Sequence, residues 1–410
     1  MPAIKTIYAK KKLDMIGTPS LEVTIELESG HIGVAFAPLT LDLNKAITKN
    51  EDILNDVDSV NKVIFKVLKG KDALDQQGLD KTMLSIIDER DGTKLGKNAI
   101  IAVSIAIAKA AASYCNLPLY RYIGGVNVKL FPMPLSTVLR GGGSCNNKVN
   151  IKEFILVPVG FVTFKDSLYG SLKVFNKMGE LVEECGQSTN IQNGYVSNLD
   201  GDEEAIELIC EAISACGYNL GDDFFIGLNV GASEWEMKYN KYKMPKKNQL
   251  LTSAQVGDYL FDLCQKYPII FLEDPLNSRD FSGYMKLKNR ISDVQIVETS
   301  HFEDLLKKMQ TSFYNDSTRA VIVSLKDIRT LTELMDLIEM ARQASYTVIM
   351  SDRSLNRENS LMADIILGLG IAQVKIGTPM VADRVCKCKR FLELEEIFQR
   401  RLRNVSSWRY

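Results

Sequence analysis

The most constraining feature of this chain is a repeat of form. From residue 225 onward, short apolar runs alternate with segments of helical periodicity. The runs span 225–230, 269–272, 294–297, 320–323, 347–350 and 373–374, and a helix-like stretch follows each. Apolar runs this short, separated by helices, read as strands of a parallel sheet, and so many βα units in series imply a closed α/β barrel. A doubly wound sheet is the competing architecture. It is disfavoured because no G-x-G-x-x-G follows a first strand.

The region before the repeats is organised differently. Residues 21–27 alternate like a half-buried strand, Gly30 supports a turn, and 31–37 is its partner. Helical patterns follow at 58–68, 79–87 and 98–114. After Pro132 come a strand at 153–159 and helices at 164–184 and 203–216. The expected division is an α+β domain over 1–125 and a barrel domain over 126–410.

A length of 410 residues suits this division. A net charge of −1 supplies no basic field for nucleic acid or an anionic membrane. The stretch 99–112 is the most apolar, but Lys109 interrupts it and it is too short to span a bilayer, so it reads as a buried helix. The opening MPAIKTIYAKKK lacks the apolar core of a secretory signal. Eight cysteines without paired spacing suggest reduced thiols in the cytosol. Cys386 and Cys388 form a C-x-C with no second ligand pair nearby, and read as ordinary helix residues.

Barrels of this class carry function at the carboxyl ends of their strands. The polar residues there are Asn229, Glu273 with Asp274, Glu298 with Thr299, Ser324, Ser351 with Asp352, and Lys375. They are expected to converge on one mouth and line a pocket.

Four segments, in order, carry a resemblance that covers nearly the whole chain: LGKNAIIAVSIAIAKAAA with LPLYRYIGG (95–125), IKEFILVPVG (151–160), YPIIFLEDP (267–275) and QVKIGTP (373–379). They resemble the enolase family. The resemblance implies an N-terminal α+β cap domain and a TIM-type barrel whose first two strands are antiparallel. It also implies the glycolytic interconversion of 2-phosphoglycerate and phosphoenolpyruvate. That reaction removes a proton next to a carboxylate, and two Mg²⁺ ions and a lysine absorb the charge of the enediolate.

Compared with the family pattern, the site is degenerate. Of three acidic Mg²⁺ ligands Glu273 remains, while Asn229 and Thr299 stand at the other two positions. A hard cation favours anionic oxygens, so Mg²⁺ binding is expected to be weak or absent. Glu298 lies beside Thr299, but strand neighbours point to opposite faces. The lysine base falls on Ser324, which cannot act as a base without an activating partner. Lys326 lies two residues on. The glutamate that assists hydroxide departure falls on Gln192, which can neither give nor take a proton. The two family histidine positions fall on Ser144 and Asp352. His31 and His301 occupy no family site position. No residue of 35–45 matches the lid serine.

Glu153, Lys375, Arg353 and Ser354 match retained substrate-binding positions, the last two as a phosphate pair. The dimer glutamate matches Glu22, and its arginine partner falls on Glu393, so a family-type homodimer is disfavoured. The expectation is an enolase relative that has lost turnover and acts in the cytosol as a structural or interaction protein for an unidentified partner. Two alternatives stand beside it. One is a weak Mg²⁺-dependent phosphopyruvate hydratase using Lys326 and Glu298. The other is a module binding a phosphorylated or carboxylated metabolite through Arg353, Ser354 and Lys375.

Overall fold

The computed structural model describes residues 1–13, 19–37, 50–88, 96–143, 145–184, 194–238, 241–247, 249–299, 320–351, 361–380 and 382–398. The chain forms two compact units. One comprises Met1–Lys129, Ser324–Met340 and Asp352–Gly370; the other comprises Leu130–Val323, Ala341–Ser351 and Ile371–Tyr410.

The first unit contains an antiparallel meander, β1 (Ile4–Leu13), β2 (Pro19–Leu27) and β3 (Ile32–Phe36). The expected pair of strands is present, and β1 is an additional strand. The triple lysine at its end, Lys10 to Lys12, hides its alternation. The helix Lys97–Tyr114 is buried from Ala99 to Ala112 except at Lys109. It is a core helix, and no described helix is long and apolar enough to cross a membrane. Its close approach to the sheet requires Gly33, where a Cβ would collide with the backbone of Ala106 and Ala110. The helix expected at 58–68 begins earlier, as Asn50–Asp58, and continues through a π-wound stretch, Ser59–Ile64, into Phe65–Leu68. Asn61, within that stretch, accepts from the Ala9 amide at 2.7 Å and donates to the Ala9 carbonyl at 3.0 Å. It thereby pairs the outer edge of β1.

The second unit contains the barrel. It opens with β4 (Met133–Arg140), β5 (Glu153–Val157) and β6 (Phe225–Asn229). Three short strands, β7 (Glu236–Lys238), β8 (Lys241–Lys243) and β9 (Leu250–Thr252), then form a side sheet. The barrel resumes with β10 (Ile269–Glu273), β11 (Gln295–Thr299), β12 (Ala320–Val323), β13 (Thr347–Ser351) and β14 (Gln373–Gly377). It closes in the order β10-β11-β12-β13-β14-β4-β5-β6. β4 is absent from the periodicity reading because nearly all its residues are buried on both faces, leaving no alternation.

The first two barrel strands are antiparallel, as the resemblance implies. More particularly, β5 alone runs backwards, antiparallel to both β4 and β6. The connection from β5 to β6 passes through two helices, Phe164–Glu184 and Asp202–Ala215, which return the chain to the end it left. The start of β5 therefore lies at the end of the barrel where its neighbours finish. Met133, Leu135, Ile155, Val157, Phe271, Val297, Ile322 and Ile349 fill the lumen. Gly227 makes room for Phe271: a Cβ there would sit 3.0 Å from the ring and 3.3 Å from Ile155. Burial of each such side chain stabilises by about 1.5–3 kcal/mol.

Candidate functional site

Register brings the first three residues of the site together. Asn229, at the end of β6, is paired with Glu153 on β5 and with Glu273 on β10. Residues in register on adjacent strands share a face, and here the face is the lumen. The Asn229 amide Nδ2 donates to Glu153 Oε2 at 2.9 Å and to Glu273 Oε1 at 3.0 Å. Lys375, on β14, closes the group. Its Nζ donates to Glu153 Oε2 and to Glu273 Oε2, each at 2.6 Å. The Thr299 hydroxyl donates to Glu273 Oε1 at 3.4 Å, a long contact.

The group is almost dry. Side-chain exposure is 6 % for Lys375, 19 % for Glu153 and 0 % for Glu273. Burial pushes the Glu153 carboxyl up, but the Lys375 ammonium, the two hydrogen bonds and the charge of Arg140 together hold it well below the usual carboxylate range. Burial depresses the Lys375 ammonium, and the two carboxylates more than reverse this, raising it. Both groups are thus ionised at neutral pH, as a paired buried charge must be.

Asp274, the next residue, adopts a left-handed φ of 47° and accepts the Thr299 amide at 2.8 Å. Burial, with the Glu273 charge beside it, pushes its carboxyl up to about 7. By strand alternation Glu298 faces away from the lumen group, and its charge is felt by Asp274 and by Tyr284.

Five expected site residues, Glu153, Asn229, Glu273, Thr299 and Lys375, therefore meet in one bonded cluster. Ser324 follows β12 directly and is buried. The Lys326 backbone lies in the short turn Leu325–Asp327, and its side chain lies outside the described residues. So do Gln192, Arg353, Ser354, Ser144, Asp352, His301 and residues 38–45. His31 is a surface residue that bonds Ser29 at 2.9 Å and packs edge-on against Tyr114. Cys386 and Cys388 lie on the helix Ala382–Ile397 as reduced thiols. Among the described residues no group of three or more His, Cys, Asp or Glu side chains is arranged to hold a metal ion.

One mouth residue escapes sequence reasoning. Arg140 ends β4 in register with Glu153. The only sequence signal is its place directly before the glycine run Gly141 to Gly143.

The model of the enolase N-terminal domain matches residues 4–123, and that of the enolase C-terminal TIM barrel domain matches residues 128–403.

Proposed function

The chain belongs to the enolase family, and on that premise we propose that it is a non-catalytic member, a cytosolic structural or interaction protein. The observation that carries this reading is the orientation of Asn229. Its amide nitrogen, a donor, faces both carboxylates at 2.9 and 3.0 Å. An amide binds a metal through its oxygen. Here that oxygen is turned away from the two groups a metal would share with it.

The residues present do not suit a magnesium ion. Glu273 Oε1 accepts from Asn229 and Thr299, and its Oε2 accepts from Lys375. A dication would have to displace three protein donors, among them a like charge. Without a metal, two carboxylates and one ammonium are a poor place to gather the negative charge of an enediolate. Ser324 supplies no amine at the position where the family resemblance puts the base. The binding residues Glu153 and Lys375 are spent on each other.

The same reading disfavours the family homodimer. Glu22 is buried and bonds two lysines of its own unit, Lys10 at 2.9 Å and Lys12. Glu393 pairs with Arg390 at 3.3 Å. A glutamate already held by two lysines gains little from an arginine across a two-fold axis.

An absorbance assay of phosphoenolpyruvate formation from 2-phosphoglycerate, run over a range of Mg²⁺ concentrations, tests the proposal. No turnover is expected at any concentration. Mg²⁺-dependent turnover that Lys375→Ala removes would overturn it.

A further inference from the structure

Resting on the non-catalytic reading, we infer that Arg140, placed beside the Lys375 that the family resemblance already implies, acts as a tethered counter-ion that weakens the hold of the barrel mouth on divalent cations. On this view the weakened hold does not follow from the lost acids alone. It is built into the fold by a cation that a β-bulge swings into the lumen.

The bulge can be followed residue by residue. Thr137 is opposite Ile155, which faces the lumen. Regular alternation would put Leu139 on that face and turn Arg140 outward. Instead the register shifts by one between Thr137 and Leu139. Leu139 then falls opposite Phe154, and both pack into the cluster outside the barrel. Arg140 falls opposite Glu153 and so shares its face. One extra residue reverses the facing of the strand end, as bulges beside functional sites commonly do.

The bulged end is clamped. The Arg140 amide donates to the Tyr195 carbonyl and the Tyr195 amide to the Val138 carbonyl, both at 2.9 Å. Gly194 lies against the stem of the arginine, where a Cβ would stand 3.2 Å from Cγ. The Arg140 Nε is buried and has no hydrogen-bond partner among the described residues. The guanidinium therefore acts on the mouth as a fixed charge, and its effect on Glu153 is of that kind.

Among the described residues of the lumen group, the two carboxylates of Glu153 and Glu273 thus face two side-chain cations, Lys375 and Arg140. A divalent ion entering the group would lose much of the negative charge that normally holds such an ion and would meet two like charges. Even at the dielectric of water, a unit charge about 6 Å from a dication changes its affinity by about tenfold. In a dry lumen the effect is larger.

The test restores the acids and then removes the arginine. Mn²⁺ binding is read by electron paramagnetic resonance titration in wild type, in Asn229→Asp/Thr299→Asp, and in that double variant with Arg140→Gln or Arg140→Lys. The wild type should bind no Mn²⁺ at the site. The double variant should bind it, Arg140→Gln should tighten that binding at least tenfold, and Arg140→Lys should leave it unchanged. Equal affinity with and without the Arg140→Gln change, or tight binding by the wild type, would overturn the inference. If the double variant does not fold, Asn229→Asp alone serves as the background. The rise in its melting temperature with Mn²⁺ should be larger with Arg140→Gln than without it, and an equal rise would also overturn the inference. Turnover by the wild type would sink the non-catalytic reading, whereas these titrations judge the counter-ion by itself.

Discussion

Replacing Lys375 by methionine tests the lumen cluster as a source of stability. The side chains are close in length, so the change removes the charge and leaves most of the packing. It deprives Glu153 and Glu273 of a partner that holds each at 2.6 Å. Removing one member of a buried ion pair costs about 3–5 kcal/mol, because the remaining charge is left uncompensated. At about 2–3 °C per kcal/mol for a unit of this size, the melting temperature should fall by roughly 6–15 °C at pH 7. The sign of the pH dependence follows from Glu153. In wild type its carboxyl is held low, so its stabilisation is present above the ordinary carboxylate pKa and is lost only as pH falls towards the lower folded value. In the variant burial acts without the lysine and pushes the carboxyl up, so the penalty grows as pH rises past the ordinary value. The gap between the two proteins should therefore be widest near neutrality and shrink towards about pH 4. Calorimetric or circular-dichroism melts across that range measure it. A variant as stable as wild type at pH 7, or a gap that widens in acid, would refute the reasoning.

Three other perturbations probe the surroundings of the cluster. Gly227→Ala places a methyl 3.0 Å from Phe271 and 3.3 Å from Ile155; overpacking should cost about 1–3 kcal/mol in denaturant titrations. Tyr259→Phe removes the hydroxyl that donates to Asp202 at 2.6 Å. Asp202 also accepts the amides of Asn150 and Ile151, at 2.7 and 2.9 Å, just ahead of Glu153. Loss of one charge-assisted bond there should cost about 1.5–3 kcal/mol. Asp274→Asn tests the carboxyl that is pushed up to about 7. An acid raised on folding favours the fold below its ordinary pKa and opposes it as pH climbs towards the folded value. Asparagine tolerates the left-handed backbone and keeps an acceptor for Thr299. The variant should therefore melt higher than wild type at about pH 8, with the advantage fading at about pH 4.5.

Much of the barrel was legible because its strands are short, apolar and separated by helices. The run at 320–323 and the helix at 164–184 coincide with the observed elements. β1 and β4 were not legible, for opposite reasons. Lysines obscure one, and burial on both faces removes the alternation of the other. The cluster divides in the same way. Asn229, Glu273 and Thr299 end parallel strands, so position along the chain suffices to bring them to one rim, while Lys375 stands at the middle of β14 and reaches the same group with its long side chain. Glu153 begins its strand, and only the reversal of β5 carries it to that rim. No periodicity reveals that reversal; the family resemblance does. Arg140 was invisible to both, because parity counting assumes an unbroken ladder and a bulge is where that assumption fails.

On the proposed non-catalytic reading, the residues at the mouth have a physical logic of their own. Carboxylates gathered to hold a metal repel one another whenever the metal is absent, so an empty metal site weakens the fold that carries it. Asparagine at 229 turns one source of repulsion into a donor that bridges the two carboxylates on either side, and Thr299 adds a weaker contact to Glu273. Lys375 and Arg140 then offset the charge of Glu153 and Glu273 without any ion from solution. A chain under selection to fold, and under none to turn over, would drift towards such an arrangement. On this reasoning the Asn229→Asp/Thr299→Asp variant should melt well below wild type in chelator and recover part of the difference when Mn²⁺ is added. Wild type should give the same melt in both. A double variant that matches wild type in chelator would mean that like-charge repulsion at the mouth is too weak to have shaped it.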